Sequence, residues 1–316
     1  MASHTLPSTP ETCVCGFFDA TRPAQLTVES GDIVTIDTLT GTIPMIAQAP
    51  GHTPPELRAV REGSESYPAP HILTGPVAVA GAEPGDVLEV RILDVVLRQD
   101  WGFNLVRPLS GTLPDLVTQE RLMIVPIDRE AKTARLPFGV SLPLSPFFGI
   151  MGVAPPPEWG RITSVVPRAH GGNIDNKELV AGATLYLPVF VPGALFSCGD
   201  GHGVQGDGEV CLTALETALT GTFQLVVRKD LRLAGPRAET PERLITMAFD
   251  PDLDRALERA LADMIAWIGE RSGLSELDAY TLCSLAADFR ITQTVNGAKG
   301  VHGLLDKAYA PIPSTR

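Results

Sequence analysis

Glycine and proline, 30 and 28 residues respectively, recur along the whole of this 316-residue chain instead of collecting in linkers. They cut it into short apolar runs, and short runs joined by tight turns build many strands and few long helices. Gln25 to Ile36 reads as a strand, a turn at Ser30-Gly31-Asp32 and a second strand. Glu83-Pro84-Gly85-Asp86 carries proline and glycine where a type II turn wants them, and Val87 to Val96 alternates as a strand does. Further strands are expected at Val77–Val79, at 121–127 and 133–140 as a hairpin, and at Thr184–Val191, Ala194–Cys198, Val210–Leu215 and Thr222–Arg228. Residues 40–70 are polar and rich in turn formers, so they read as a long loop, and such a loop in a compact domain is more often functional than idle.

The pattern changes near residue 240. Between Asp252 and Arg271 the apolar positions Leu253, Ala256, Leu257, Ala260, Leu261, Met264, Ile265 and Ile268 recur with helical spacing, with Asp252 as cap and Gly273 as stop. A second helix is expected from Ser275 to about Phe289, burying Leu277, Leu282, Leu285 and Phe289. A short strand, Ile291–Val295, leads into the turn Asn296-Gly297. The expected organisation is a β-rich body, 1–240, with an α+β appendage, 241–316, packed on it.

With 25 basic and 37 acidic residues the chain has a net charge of −12, which repels phosphate backbones and anionic membranes. Neither nucleic acid nor a membrane is therefore expected as a partner, and no apolar run approaches the ~20 residues of a spanning helix. The N-terminal stretch lacks the basic start and apolar core of a secretory signal. Five cysteines, Cys13, Cys15, Cys198, Cys211 and Cys283, show no paired CxxC spacing, which suits reduced thiols and a cytoplasmic location.

Residue types capable of chemistry crowd into two segments: His170-Gly-Gly-Asn173-Ile-Asp175 and Cys198-Gly-Asp200-Gly-His202-Gly-Val-Gln205-Gly-Asp207-Gly-Glu209. If the second is extended, Asp200 and His202 share a face, as do Asp207 and Glu209. Packing such acids together is costly unless a cation or a shared proton offsets their repulsion. A divalent metal with an open position for water fits that requirement, and a solvated acidic loop is the bland alternative. Gly201-His-Gly203-Val-Gln-Gly206 matches GxGxxG, but acids flank it where a pyrophosphate would sit and no βαβ unit surrounds it. No GxSxG occurs. Cys198, with His202 as base, is a candidate thiolate nucleophile, although a cysteine ending an apolar strand is more often a small core residue. His71, closing the long loop, is a candidate to reach a pocket.

The segments GPVAVAGAEPGDVLEVRILDV (75–95), FFGIMGVAPPPEWGRI (147–162), HGGNID (170–175), LYLPVFVPGALFSCGDGHGVQGDGEVC (185–211) and SLAADFRITQTVNGAKGVHGLL (284–305) together resemble the acetamidase/formamidase family. The resemblance implies hydrolysis of a C–N bond in a small neutral amide, with a small lactam as the alternative substrate. It implies a mainly β fold, a jelly-roll-like sandwich with a smaller barrel-like part and an α+β C-terminal appendage. It also implies a metal, zinc first with calcium as the alternative, and a homodimer or higher homo-oligomer. Carried over by motif, His170, Asp175, Asp200 and His202 would hold the metal. Glu209, Asp207 and Asn173 would be catalytic, with Glu209 as the proton carrier. Apart from that carry-over, Trp101 and Phe103 are expected to help shape the substrate pocket, and His71 and Gln205 to meet the substrate. Two rivals remain: a Cys198-dependent amidase, and a non-catalytic β module whose acidic loop binds Ca²⁺.

Overall fold

The computed structural model describes residues 1–312. The chain is mainly β. A nine-stranded sheet runs in the order Ser3–Leu6, Ile33–Asp37, Leu219–Arg228, Val87–Leu97, Thr184–Pro188, Arg237–Glu239, Arg243–Asp250, Lys299–Asp306, Asp288–Gln293. A twelve-stranded sheet has Trp101–Val106, Leu215–Glu216, Phe196–Val204 and Ile72–Val79 as neighbours at its centre, with Phe147–Gly152 paired to Phe196–Val204 and Gly171–Asn173 in turn paired to Phe147–Gly152. The largest apolar core takes side chains from both sheets: Ile36, Val90, Phe223 and Leu225 from the first, Val77, Phe148, Met151 and Phe196 from the second. Each sheet has distinct end strands, so among the described residues no barrel closes.

The punctuation of the sequence translates into turns. Gly85 takes a left-handed φ of 91°, and Asp86 N–H closes the turn on the Glu83 carbonyl at 3.0 Å. The 121–128 and 133–135 strands pair antiparallel as expected. The strands on either side of Ser30-Gly31-Asp32 both form but do not pair with each other. Leu26–Val28 joins Ile72–Val79 in one sheet, and Ile33–Asp37 joins Leu219–Arg228 in the other. That turn passes the chain from one layer to the next. Residues 40–70 carry two short helices, Ile43–Ile46 and Leu57–Gly63, and a two-residue strand.

Beyond residue 240, three strands extend the nine-stranded sheet directly, because Arg243–Asp250 pairs with Arg237–Glu239. The helix Leu253–Ser272 begins under Asp252, whose side chain accepts from Asp254 N–H and Arg255 N–H, and ends at Gly273 with φ 73°. It buries Ala256, Ala260, Met264 and Ile268. The next helix, Glu276–Ala286, is capped by Ser275 and buries the expected face only in part: Leu282 packs on the core, as does Phe289 from the following strand. Ala279 and Cys283 point inward, while Leu277 is 73% and Leu285 80% exposed. Ala279 and Cys283 pack in one core with Met264 and Ile268 of the first helix, and Leu277 and Leu285 lie outside that contact.

Candidate active site

The stretch from Cys198 to Val204 is a strand and not a loop. Its alternate glycines explain how it fits: a Cβ on Gly199 would strike the backbone of Ile72, and one on Gly201 the carbonyl of Thr217. The strand places Asp200 and His202 in the interior, both buried. Phe147–Gly152 lies antiparallel beside it, with Gly149 opposite Asp200 in the register. Asp175 follows the Gly171–Asn173 strand and is tied to the same neighbour by its N–H donating to the Gly149 carbonyl at 3.0 Å. Three strands therefore deliver Asp175, Asp200 and His202 to one point.

His202 Nε2 lies 3.5 Å from Asp200 Oδ2, 3.8 Å from Asp175 Oδ1 and 3.3 Å from Glu216 Oε1. Two overlapping groups have the reach of a metal site: Asp175, Asp200 and His202, and His202, Glu209 and Glu216. Each is held from outside. Gln205 Oε1 meets His202 Nδ1 at 2.9 Å, and Gln205 Nε2 donates to the Asp175 carbonyl at 2.7 Å. With Nδ1 so engaged, Nε2 is the nitrogen aimed at the carboxylates. Asn296 Nδ2 donates to Asp175 Oδ2 at 2.5 Å, and the Phe147 ring packs edge-on against His202 at 5.0 Å. Gly149 has no side chain because none fits: a Cβ there would overlap Asp175 Oδ1 and stand 2.8 Å from Asp200 Oδ2. Asp175, Asp200 and Glu209 hold φ values of 51°, 55° and 43°, a region costly for residues other than glycine and characteristic of functional positions.

The electrostatics follow from this crowding. Burial, with Asp175 nearby, pushes the Glu209 carboxyl well above the usual range, and burial, with Asp200 adding to it, raises Glu216 to about 8. Burial also raises Asp175 to about 6. For Asp200 burial acts upward too, but His71 and His202 outweigh it and hold the carboxyl low. Burial disfavours a charged His202, yet Glu216 and Asp200 overcome that and raise it well above an ordinary imidazole. Three buried atoms of the cluster find no hydrogen-bond partner among the described residues: Asp175 Oδ1, His202 Nε2 and Glu209 Oε2. His202 Nε2 has Asp175 in reach within one group and Glu209 in reach within the other, and an imidazole nitrogen beside unpaired carboxylate oxygens is a donor set a divalent cation fits.

This cluster forms one end of a cavity of about 270 Å³. Asp175, Asp200, Glu209, Glu216, His71, Asn173 and Asn296 line it, together with an apolar wall and residues Thr40 to Thr42 of the long segment. His71 Nδ1 is bonded to Ser164 Oγ at 2.8 Å, and its Nε2 is 3.9 Å from Asp200 Oδ2. Asn173 Nδ2 donates to the Val165 carbonyl at 3.1 Å.

Of the residues singled out in the sequence, seven are brought together here: Asn173, Asp175, Asp200, His202, Glu209, His71 and Phe103. Gln205 touches the cluster without lining the cavity. Trp101 is fully buried behind the wall, its indole N–H donating to Thr53 Oγ1 at 2.8 Å. Asp207 turns away to pair with Lys177 at 2.8 Å and to face Arg290 at 4.0 Å. His170 stands apart. Its ring lies edge-on to Phe18 at 4.9 Å and to Trp159 at 6.4 Å, and burial lowers its pKa to about 3. Gly171 and Gly172 both hold left-handed φ within the strand paired to Phe147–Gly152, which breaks simple side-chain alternation, so the two ends of HGGNID do not face the same way. Cys198 is fully buried in the main core, where burial pushes its thiol far up and away from thiolate chemistry.

Glu216 and Asn296 were not anticipated. A lone acid inside the apolar run around Leu215 was the only sequence signal for Glu216. Asn296 was masked by its role in the Asn-Gly turn.

The family model described as acetamidase/formamidase matches residues 20–162 and 159–241. The chain belongs to that family. A formamidase of Methylophilus methylotrophus is 32% identical over 193 residues, 44% of this chain and 47% of that protein. An acetamidase of Mycolicibacterium smegmatis is 28% identical over 198 residues, 44% of this chain and 49% of that one. The chain spans about half the length of the curated relatives it matches. Among solved structures, the Bacillus halodurans acetamidase is 30% identical, with a TM-score of 0.83 over 96% of this chain and 98% of that one. The acetamidase/formamidase of Thermoanaerobacter tengcongensis is 28% identical, also with a TM-score of 0.83, over 98% and 97% of the two chains. A γ-lactamase of Delftia acidovorans, 22% identical with a TM-score of 0.64 over 99% and 95% of the chains, shares the fold alone.

Proposed function

We propose that this member of the acetamidase/formamidase family hydrolyses the C–N bond of a small neutral amide, giving a carboxylate and ammonia. The observation that carries this reading is the buried meeting of Asp175, Asp200, His202, Glu209 and Glu216 at one end of a cavity large enough for an organic substrate. Asp175, Asp200 and His202 would hold a divalent metal. Mixed nitrogen and oxygen donors favour zinc, whereas Ca²⁺ takes oxygen ligands alone and would leave His202 without a role. When bound, the metal supplies Lewis acidity toward a carbonyl and a lowered pKa for water.

The remaining work falls to the chain. Gln205 fixes the His202 ring so that Nε2 faces the carboxylates, and Asn296 fixes Asp175. Glu209 would be the proton carrier: burial favours its protonated form in the empty site, a cation held beside it would favour the carboxylate, and the carboxylate would take a proton from the attacking water and deliver it to the departing amine. Asn173, with Nδ2 committed to Val165, has an unpaired Oδ1 suited to accept from the substrate amide N–H. Asp207, paired with Lys177, helps hold the segment that carries Glu209.

Five free cysteines suit a cytoplasmic enzyme. No helix among the described residues is long and apolar enough to cross a membrane. The exposed Leu277 and Leu285 suit a homo-oligomer, which light scattering of the purified protein would test. Metal analysis of that protein, beside ammonia release from formamide and acetamide, tests the central reading. Bound zinc with ammonia release supports it. A folded protein that turns over no amide refutes it, and full activity after complete metal removal refutes the metal's part.

A further inference from the structure

The cavity is larger than formamide or acetamide needs. Its volume of about 270 Å³ is many times the ~10–15 Å³ that a single water needs, while those amides have only a few heavy atoms each. The surplus space is mostly apolar, with Arg61, Arg107, Ser110 and Thr213 also on its lining. Phe103 and Leu105 are two apart on the Trp101–Val106 strand and so project from one face, and Met45, Ile72, Leu212 and Val295 complete the wall. This wall is built firmly. Trp101, the next residue on the same face, packs with Met45, Phe103 and Leu105 in one buried cluster, and its indole is bonded to Thr53. The wall is also in register with the acids, because Phe103 is the cross-strand partner of Glu216.

Resting on the amidase reading above, we propose that the physiological substrate carries an apolar acyl chain distinctly longer than acetyl, of about butanoyl to hexanoyl size, lodged against Phe103, Leu105 and Leu212. A polar or charged acyl tail would lose its hydration against the apolar part of the wall, because Arg107 is paired with Glu120 and Arg61 is committed to the carbonyls of Gly41 and Pro70. An apolar tail gains from leaving water, roughly fourfold in kcat/KM for each methylene fully buried.

The test measures ammonia release by the purified protein across formamide, acetamide, butanamide and hexanamide. It is paired with calorimetric binding of acetate and hexanoate as product-side ligands, a readout independent of turnover. Even half-realised burial predicts kcat/KM for hexanamide about tenfold or more above that for acetamide, and hexanoate binding correspondingly tighter than acetate. Leu105→Trp and Leu212→Trp, which fill the cavity, should each reduce the hexanamide-to-acetamide ratio by about tenfold, and if either fails to fold, the wild-type binding series still decides. Acetamide hydrolysis with no gain from chain length, and equal binding of the two acids, overturns this proposal and leaves the amidase reading standing. Absence of ammonia from every amide overturns both.

Discussion

Replacing Gly149 by alanine tests the geometry of the site at a single carbon atom. Gly149 sits opposite Asp200 where the Phe147–Gly152 strand crosses the cluster. The added methyl would overlap Asp175 Oδ1 and stand 2.8 Å from Asp200 Oδ2 and 2.9 Å from His202 Cε1, each closer than ordinary van der Waals contact. Asp175 cannot simply swing aside, because Asn296 holds its other oxygen and its backbone is bonded to residue 149 itself. Overpacking a rigid interior costs about 1–3 kcal/mol. The functional loss should be larger in proportion, because proposed ligands that cannot reach a common point lose affinity by about 10–100-fold, as displaced supporting groups do elsewhere. Gly149→Ala should therefore melt only a few degrees below wild type, yet lose bound metal on dialysis and lose amide turnover by a similar factor. Gly235→Ala is the control, since a Cβ there meets nothing within 4 Å. A Gly149→Ala protein that retains metal and turnover like the control would show that the three side chains do not act as one site.

Glu209→Gln keeps the shape but removes the proton carrier, so kcat should fall by about 10²–10⁴ while metal content is unchanged, measured by ammonia release and elemental analysis. Gln205→Ala frees His202 Nδ1, now bonded at 2.9 Å, and should weaken metal binding about tenfold or more in a competition titration with a chelator. His170, held near 3 by burial and by Arg168, binds no proton between that pH and about 6.5, where the unfolded chain does. Its contribution is thus complete above about pH 6.5 and is lost as pH falls toward 3. His170→Phe should flatten the acid limb of a denaturation-against-pH curve by up to ~1.4 kcal/mol per pH unit, and parallel limbs would rule this out. Asp252→Ala removes two bonds from the start of the longest helix and should lower stability by about 1 kcal/mol in a urea melt, with turnover unaffected.

What the sequence alone determined is local. The alternation of Val87–Leu97, the Glu83–Asp86 turn, and the cap and stop of the Leu253–Ser272 helix depend on neighbours within one or two turns of chain, and each formed where its residues required. The Asp200-His202 pair was legible for the same reason, because a two-residue spacing on a strand fixes a shared location. Where the spacing rule met other geometry it failed. The left-handed φ of Gly171 and Gly172 broke the alternation between His170 and Asp175, and the Glu276–Ala286 helix turned Ala279 and Cys283 inward while Leu277 and Leu285 stayed exposed. Register between distant strands decided the rest. Glu216 meets His202 because Leu215–Glu216 pairs with Phe196–Val204, Asn296 reaches Asp175 from 121 residues away, and Gly149 matters only because it stands across from Asp200. A side chain's neighbours along the chain follow from covalent spacing, but its neighbours across a sheet follow from which strands pair and in what register. That choice is made by the whole core at once, so the ligand candidates could be named from the sequence while the site that assembles them could not.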